Sequence, residues 1–223
     1  MIKGNCPMAT LRLSKLHDPQ LLEKYDLRPN GDYNQSEIEY AVENILRSVG
    51  ENPLRDGLLR TPNRVARMYQ ELLSGYFLDP SEVINNAIFE VDYSEMVLVR
   101  DIEFYSLCEH HMLPFIGHVH VGYIPTNWVV GLSKIPRVVD MFARRLQVQE
   151  RMTTQIAEFM MDMLEPLGVG VVVEGLHMCS MMRGVKKANA RMVTSALMGS
   201  FRDDERTRAE FLSHVQRSLG KEV

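Results

Sequence analysis

The sequence has few cysteines and no long apolar run. Cys6, Cys108 and Cys179 are the three cysteines among its 223 residues. They are too few and too widely spaced for a disulfide framework, so they favour a reducing compartment or a metal site. Apolar stretches such as residues 169–173 fall far short of the ~20 residues that a membrane helix needs. Charged residues interrupt the start of the chain, so no signal peptide is expected. We therefore expect a cytoplasmic protein that does not enter a membrane.

The chain also lacks a strong net charge. Its 25 Lys and Arg residues nearly balance its 29 Asp and Glu residues, for a net charge of -4. No global field therefore draws the protein to nucleic acid or to an anionic membrane. Any site for an anion has to arise from a local arrangement of basic residues.

Several widespread catalytic and nucleotide-binding motifs are absent as well. Neither Gly-x-x-x-x-Gly-Lys-Ser/Thr nor Gly-x-Gly-x-x-Gly occurs, so a nucleotide would bind without a P-loop or a Rossmann fold. The sequence has no His-Glu-x-x-His, and no His-x-Glu paired with Pro-Cys-x-x-Cys. These absences exclude the zinc hydrolases of the first pattern and the base deaminases of the second.

What is present is the composition of an ordinary globular protein. Apolar residues make up 45% and charged residues 24%, which is enough for a core without metal or disulfide staples. The length allows one domain with an appendage or two small domains. Residues 1–33 mix charges, prolines and a glycine without periodicity, so we predict an N-terminal arm that is poorly ordered or loosely docked.

A helical period begins after Asn34 and ends at Gly50. Its apolar positions are Ile38, Ala41, Val42, Ile45, Leu46 and Val49. Thr61-Pro62 is typical of a helix start, with a capping residue and a proline in the first turn, and Asp79-Pro80 repeats that pattern. Residues 34–90 are therefore predicted to form an N-terminal helical segment.

From residue 91 on, strand and helix patterns follow one another. Strands are predicted at 96–99, 118–123, 169–174 and 191–197, and helices at 135–146, at 156–164 and from 203. This order indicates an α+β domain over residues 91–223, with an antiparallel sheet and helices packed on one face.

Two polar features lie within this pattern. His118 and His120 alternate with Val119 and Val121 on a predicted strand, and we expect both histidines at the surface or at an interface. Residues 147–154 form a polar run between two apolar stripes, which is typical of a turn between helices.

One cluster of Cys and His residues indicates metal chemistry. Cys108 and His111 are three positions apart after a strand, which is ligand spacing for zinc, and Cys179 closely follows His177 after another strand. Three ligands without an obvious fourth leave a position for water, as catalytic zinc sites do. His110 and His177 are then acid–base candidates. The alternative is that these residues are buried structural cysteines and core histidines.

Basic residues concentrate in two segments. Residues 175–201 contain no Asp or Glu, and Lys134 and Arg137 lie at a predicted helix start, where free backbone N–H groups favour an anion. One interpretation is a site for a phosphate-rich ligand. The other is a solvated basic face or a set of ion pairs between subunits. The basic residues of the first segment are Arg183, Lys186, Lys187 and Arg191.

Four motifs occur in a characteristic order along the chain. They are Cys108-Glu-His-His-Met-Leu-Pro-Phe, Gly131-Leu-Ser-Lys-Ile-Pro-Arg, Arg144-Arg-Leu-Gln-Val-Gln-Glu-Arg-Met-Thr and His177-Met-Cys-Ser-Met-Met-Arg-Gly-Val. Together they closely resemble the zinc-dependent GTP cyclohydrolase I family. The resemblance extends over residues 34–218 and does not include the arm.

The resemblance implies a fold, an assembly and a reaction. The fold is the tunnelling fold, an antiparallel sheet with helices on one side, and the assembly is a toroidal homodecamer of two stacked pentamers with sites at subunit interfaces. The reaction converts GTP and water to 7,8-dihydroneopterin triphosphate and formate, the first step of folate or tetrahydropterin synthesis. GTP and further copies of the chain are the expected partners, without nucleic acid or membrane.

The resemblance also implies a role for each residue of the Cys and His cluster. Cys108, His111 and Cys179 would bind Zn2+, which would activate water for attack on C8 of guanine. His110 and His177 would move protons on the ring nitrogens.

Further implied roles concern recognition of the substrate. Ser133 would act in the later rearrangement of the sugar. Glu150, with Gln149 beside it, would accept hydrogen bonds from the guanine edge. The triphosphate would be held by Lys134, Arg137, Arg183 and, as a fourth cation, Arg64.

Two other functions stay open at this point. Another purine or pterin enzyme of the tunnelling fold would need a different nucleophile or a missing zinc ligand, and the sequence shows neither. A non-catalytic GTP-binding regulator or a zinc-stabilised structural ring has no use for both His110 and His177.

Overall fold

The structure is a computed structural model that describes residue 16 and residues 18–25 and 31–219. Most of the predicted arm, including Cys6, lies outside these residues.

The first described elements are helices; the sequence patterns predict the last three of them, whereas α1 lies in the predicted arm. They are α1 (Pro19–Lys24), α2 (Gln35–Ser48), α3 (Thr61–Leu72) and α4 (Pro80–Ile84). The Asn34 side chain accepts the backbone N–H of Glu37 and caps α2, and Asp79 caps α4 in the same way. Thr61 is the first residue of α3 rather than its cap, because Arg60 occupies the capping position without a side-chain bond.

A five-stranded sheet forms the centre of the molecule, in the order β5-β2-β3-β6-β7. Its antiparallel strands are β2 (Val97–Cys108), β3 (Pro114–Ile124), β6 (Gly168–His177) and β7 (Met192–Gly199), and the short β5 (Leu146–Gln147) pairs with β2 in parallel. A separate two-stranded sheet joins β1 (Ile88–Glu90) to β4 (Trp128–Val130). The sheet is therefore mixed, although its four long strands are antiparallel.

Two helices cover one face of this sheet. They are α5 (Lys134–Ala143) and α6 (Gln149–Leu164). The residues of β3 that face these helices alternate along the strand and are buried: Phe115, Val119, Val121 and Tyr123. This main core agrees with the predicted layering of an α+β domain.

The opposite face also carries helices, which the prediction of helices packed on one face does not include. The helices α8 (Ser200–Asp203) and α9 (Glu205–Leu219) pack there, with Phe201 and Phe211 fully buried. The physical reason lies in two glycines: a Cβ at Gly170 would lie 2.5 Å from Cδ1 of Phe201, and one at Gly122 would lie 3.0 Å from Phe211. Without side chains at these positions, the aromatic rings lie directly against the strands.

His120 lies on this second face and is fully buried, so its expected position at a surface or interface is wrong. Its Nδ1 accepts the backbone N–H of Asp101 at 3.2 Å. Asp101 has a φ of 59° within a bulge of β2. Burial lowers the pKa of His120.

Part of the described arm packs into the core. Tyr25 is fully buried, with its ring edge-on to Phe142 at 5.9 Å and to Phe159 at 5.7 Å. Its hydroxyl donates to Asp162 at 2.6 Å, and Lys24 contacts the same carboxylate at 2.7 Å. Aromatic edge contacts and a satisfied hydroxyl make this docking specific.

Candidate active site

Two strand ends bring the predicted metal ligands to one end of the sheet. Cys108 is the last residue of β2, and His177 is the last residue of β6, just before α7 (Met178–Met181). Strand β3 pairs with both neighbours and sets Phe115 opposite His177. The turn that begins at Cys108 and the segment that contains Cys179 therefore share this end of the sheet, which we call the metal end.

The ligand atoms of Cys108, His111 and Cys179 all lie within 4.8 Å of one another. The Sγ of Cys108 is 3.8 Å from Nδ1 of His111, close to the ~3.5 Å that bonds of ~2.3 Å to sulfur and ~2.0 Å to nitrogen give in a tetrahedral site. Burial and the neighbouring Cys108 thiol raise the pKa of Cys179. A bound cation favours the thiolate forms, so this donor set fits a divalent metal.

Among the described residues, no other Cys, His, Asp or Glu completes this group. Nδ1 of His110 is also 3.8 Å from Sγ of Cys108, but His110 does not converge with Cys179. Its side chain is 64% exposed and lies 3.9 Å from the Glu109 carboxylate. His110 is thus beside the metal group and free to meet a ligand.

His177 is held on two sides. Its ring stacks on Phe115, with centroids 4.7 Å apart and planes within 5°. Its Nε2 is 2.9 Å from Oε1 of Gln149. Burial lowers the pKa of His177, and the carboxylate of Glu150 opposes that shift. The lowered pKa favours the neutral imidazole at neutral pH.

Residues 149–154 are the first turns of α6, so the prediction of a turn over 147–154 is wrong for most of that run. Gln149 is 1% exposed, whereas Glu150 is exposed and its carboxylate accepts no hydrogen bond within the described residues. Arg151 binds Glu109 and the Gln147 side chain instead of Glu150. The structure therefore has no ion pair between the neighbouring side chains of Glu150 and Arg151.

Not all the predicted substrate residues are at the metal end. Arg183 is there, since its guanidinium donates to the carbonyl oxygen of Cys179 at 3.1 Å. The C-terminal end of α5 leads into β5, which pairs with Cys108. Helix α5 is about 13 Å long at 1.5 Å per residue, so its start lies that far from the end that leads into β5. Ser133, Lys134 and Arg137 lie at that far end.

Two of these far-end residues differ in exposure. Lys134 is 7% exposed, and both burial and the charge of Arg137 lower its pKa, while Arg137 is exposed. Arg64 is an exposed residue of α3. Within the described part of a single chain, no hydrogen bond or ion pair joins Lys134, Arg137 or Arg64 to the metal group.

Sequence reasoning missed Phe115 and Gly175 as parts of this site. Phe115 closes the first of the four motifs, and its place opposite His177 depends on strand register, which one sequence does not reveal. Gly175 lies on β6 where a Cβ would be 2.3 Å from Oε1 of Gln149. A glycine two positions before a candidate histidine was the available signal.

Comparisons with known proteins bear directly on this arrangement. Residues 38–216 match the family model described as GTP cyclohydrolase I. The chain belongs to the GTP cyclohydrolase I family. The resemblance carried by the four motifs is therefore confirmed, and every candidate site residue lies inside the matched range.

Curated members of the GTP cyclohydrolase I family are similar over most of their length. "GTP cyclohydrolase 1" of Campylobacter lari is 59% identical over 181 residues, which are 81% of this chain and 95% of that protein. The protein of the same name from Leptospira biflexa is 56% identical over 80% of this chain and 98% of its own. A solved structure, "Crystal structure of the archaeosine synthase QueF-Like in the apo form", is 19% identical over 47% of this chain and 93% of its own, with a TM-score of 0.40, too low to carry an argument.

In the described residues, no helix is long and apolar enough to cross a membrane.

Proposed function

We propose that this chain catalyses the GTP cyclohydrolase I reaction, in which water opens the imidazole ring of GTP to give 7,8-dihydroneopterin triphosphate and formate. This is the first step of folate or tetrahydropterin synthesis. The observation that carries the proposal is the convergence of Cys108, His111 and Cys179, with His110 and His177 beside them. Membership of the family supports the same conclusion.

Zn2+ is the metal that we propose for the group of Cys108, His111 and Cys179. Two sulfur donors and one imidazole suit this ion, and three protein ligands are the number found in catalytic zinc sites. When bound, zinc acts as a Lewis acid and lowers the pKa of water.

The two neighbouring histidines supply proton transfer. A neutral His177 accepts a proton from a reacting group and returns it later, and burial favours that neutral state. His110 is exposed beside Cys108 and serves as the second proton carrier. Ser133 acts in the rearrangement of the sugar, which follows ring opening.

Glu150 recognises the guanine edge. A carboxylate accepts two hydrogen bonds side by side, which matches the N1–H and the 2-amino group of guanine. The exposed position of Glu150 at the start of α6, beside His177, supports this role. The role of Gln149 at the same edge stays a prediction.

Four cations bind the triphosphate through charge-assisted hydrogen bonds. Arg183 belongs to the metal end, and Lys134 and Arg137 belong to the far end of α5. These ends are about 13 Å apart along the helix, and the resemblance implies sites at subunit interfaces, so we propose that one complete site combines residues of neighbouring chains. Arg64 on α3 is the fourth cation.

We propose a homo-oligomer, with two stacked pentamers as its form. In the described chain, β7 pairs on one side only, and β2 pairs on its outer side only at Leu107 and Cys108. Long unpaired strand edges are protected in stable proteins, and edge-to-edge pairing between copies protects both. Apolar residues on α2 support contacts between copies as well, because Ile45 is 60% and Val49 69% exposed.

A single assay tests the proposed function. Purified protein is incubated with GTP, formate and pterin fluorescence are followed, and metal content is measured on the same sample. We expect one formate per pterin and about one zinc per chain. Bound GTP and zinc without turnover would overturn the proposal in favour of a regulator. The division at residues 33 and 90 and the cytoplasmic location stay predictions.

A further inference from the structure

The side-chain amide of Gln149 is buried, and both its nitrogen and its oxygen have hydrogen-bond partners within the protein. Its Nε2 lies 3.1 Å from the carbonyl oxygen of Val173, 3.0 Å from that of Met192 and 3.1 Å from Oγ1 of Thr194. Its Oε1 lies 2.9 Å from Nε2 of His177. All four partners belong to strands β6 and β7, so the amide links helix α6 to both.

These contacts determine which end of the amide faces His177. Backbone carbonyl oxygens only accept hydrogen bonds, so the atom near Val173 and Met192 has to be the NH2 group. Rotating the amide by 180° would set its own oxygen against two carbonyl oxygens. The oxygen of Gln149 therefore faces His177 as an acceptor, and Nε2 of His177 is the donor.

Three neighbours hold this arrangement in place. Gly175 leaves the space that Oε1 occupies, because a Cβ there would lie 2.3 Å from that oxygen. Thr153 donates to the backbone oxygen of Gln149 at 2.7 Å and contacts the Thr194 hydroxyl at 2.7 Å. Phe115 stacks on the His177 ring. The His177 ring is therefore held in one orientation, in which its Nε2 bonds Gln149.

We propose that Gln149 is a positioning residue that fixes the His177 ring with Nε2–H donating to its Oε1, so that Nδ1 is left as the acceptor nitrogen of the ring. The inference rests on the proposed function, since it assumes that His177 moves protons. Within the described residues, Nδ1 of His177 has no hydrogen-bond partner, which agrees with this assignment. In this arrangement the side-chain amide of Gln149 acts on the reaction through His177.

A direct measurement of the tautomer tests this inference without turnover. Zinc-loaded protein labelled with 15N in its histidine rings is studied by solid-state NMR, and the His177 signals are assigned by their loss in His177→Ala. We expect a protonated Nε2 and an unprotonated Nδ1. A proton on Nδ1 in the wild-type protein would overturn the inference, even if the protein turns over GTP normally.

Variants then connect the tautomer to catalysis. Gln149→Met keeps the length of the side chain but removes both hydrogen-bonding groups, and Gly175→Ala displaces the amide by filling its space. Both are expected to give mixed His177 tautomers and to lower kcat about 10- to 100-fold, with the dissociation constant for GTP within about twofold of wild type. Gln155→Met, the same change on the same helix at a residue that bonds Gln147, is the matched control and keeps kcat.

The outcomes separate this inference from the proposed function. A large loss of GTP affinity in Gln149→Met with unchanged kcat would mean that Gln149 binds the base, and would overturn the positioning role. If wild-type protein releases no formate, the proposed function fails, while the NMR measurement still decides the tautomer. If Gln149→Met does not fold, the wild-type spectrum and Gly175→Ala keep the inference testable.

Discussion

The two ends of helix α5 differ in how much of the candidate site they hold. At the metal end, one chain brings together the candidate metal group, the two candidate acid–base histidines, Glu150 and Arg183. At the far end lie Ser133, Lys134 and Arg137, and no hydrogen bond or ion pair within the described residues joins them to the metal group. In the proposed two-chain site, one chain supplies the metal group, Glu150 and Arg183, and the far end of α5 from a second chain supplies the remaining phosphate ligands.

Removing a metal ligand is expected to have the largest effect. Cys108→Ala or Cys179→Ala leaves two ligands, which rarely retain zinc, so both metal content and formate release should fall to background. Cys6→Ala removes the same chemical group outside the ligand set and should change neither. Full activity in a metal-free Cys108→Ala protein would contradict the metal assignment.

The next effect concerns the base. A site built around the N1–H and 2-amino donors of guanine rejects an analogue that lacks them by about 10⁴–10⁵, so Glu150→Ala should lose most of the preference for GTP over ATP and much of its GTP affinity. Zinc content and assembly should not change. The control is Glu158→Ala, two turns further along α6. Unchanged GTP binding in Glu150→Ala, measured by calorimetry, would assign base recognition to another residue.

Acid–base histidines are expected to contribute less than the metal. His110→Ala and His177→Ala should each retain zinc and lose about 10²- to 10⁴-fold in kcat. His118→Ala, on the other face of the sheet, is the control and should keep its rate. Zinc loss from His110→Ala would show that the roles of His110 and His111 are exchanged, a specific risk because both rings lie 3.8 Å from Cys108.

The smallest effect is a partial recovery, and it tests the two-chain site itself. Cys108→Ala and Lys134→Ala proteins are mixed under conditions that exchange subunits. If each site combines the metal end of one chain with the far end of another, random mixing restores about a quarter of the wild-type activity. Mixing Cys108→Ala with Cys179→Ala places both defects at the same end and should restore nothing. If the mixture of Cys108→Ala and Lys134→Ala proteins recovers no activity, the metal end and the far end of each site belong to the same chain.

Local signals made the metal end predictable from sequence. Cys108 and His111 are three residues apart in one turn, and a turn of that length brings such side chains together without help from the rest of the fold. The caps at Asn34 and Asp79 are local in the same sense, since each side chain bonds a backbone group within three residues. Because such features depend on few neighbouring residues, they form in much the same way whatever the surrounding fold is.

Features that depend on distant contacts were missed. The bond between Gln149 and His177 joins residues that are 28 positions apart and needs the space above Gly175. The second helical layer depends on Phe201 and Phe211 meeting Gly122 and Gly170 across the sheet. In both cases the residues that meet are far apart in the sequence, so only the tertiary arrangement reveals the contact.

Strand β2 is an intermediate case. Its pattern predicts only residues 96–99, whereas the strand continues to Cys108. The bulge between Val99 and Ile102 shifts the register and divides the alternating pattern of the strand into two short runs. The second run has exposed Glu103 and Tyr105 on its outer face. Sequence periodicity does not carry across a bulge.

The docked arm has a practical consequence for truncated versions of this protein. A boundary at residue 34, the start of the helical pattern, would remove the Tyr25 ring from between Phe142 and Phe159 and leave Asp162 without Lys24 and the tyrosine hydroxyl. Loss of a buried aromatic ring costs about 3–5 kcal/mol. A chain that starts at residue 34 should therefore unfold at a markedly lower temperature than the full chain in a calorimetric scan, and equal melting temperatures would show that the arm does not stabilise the core.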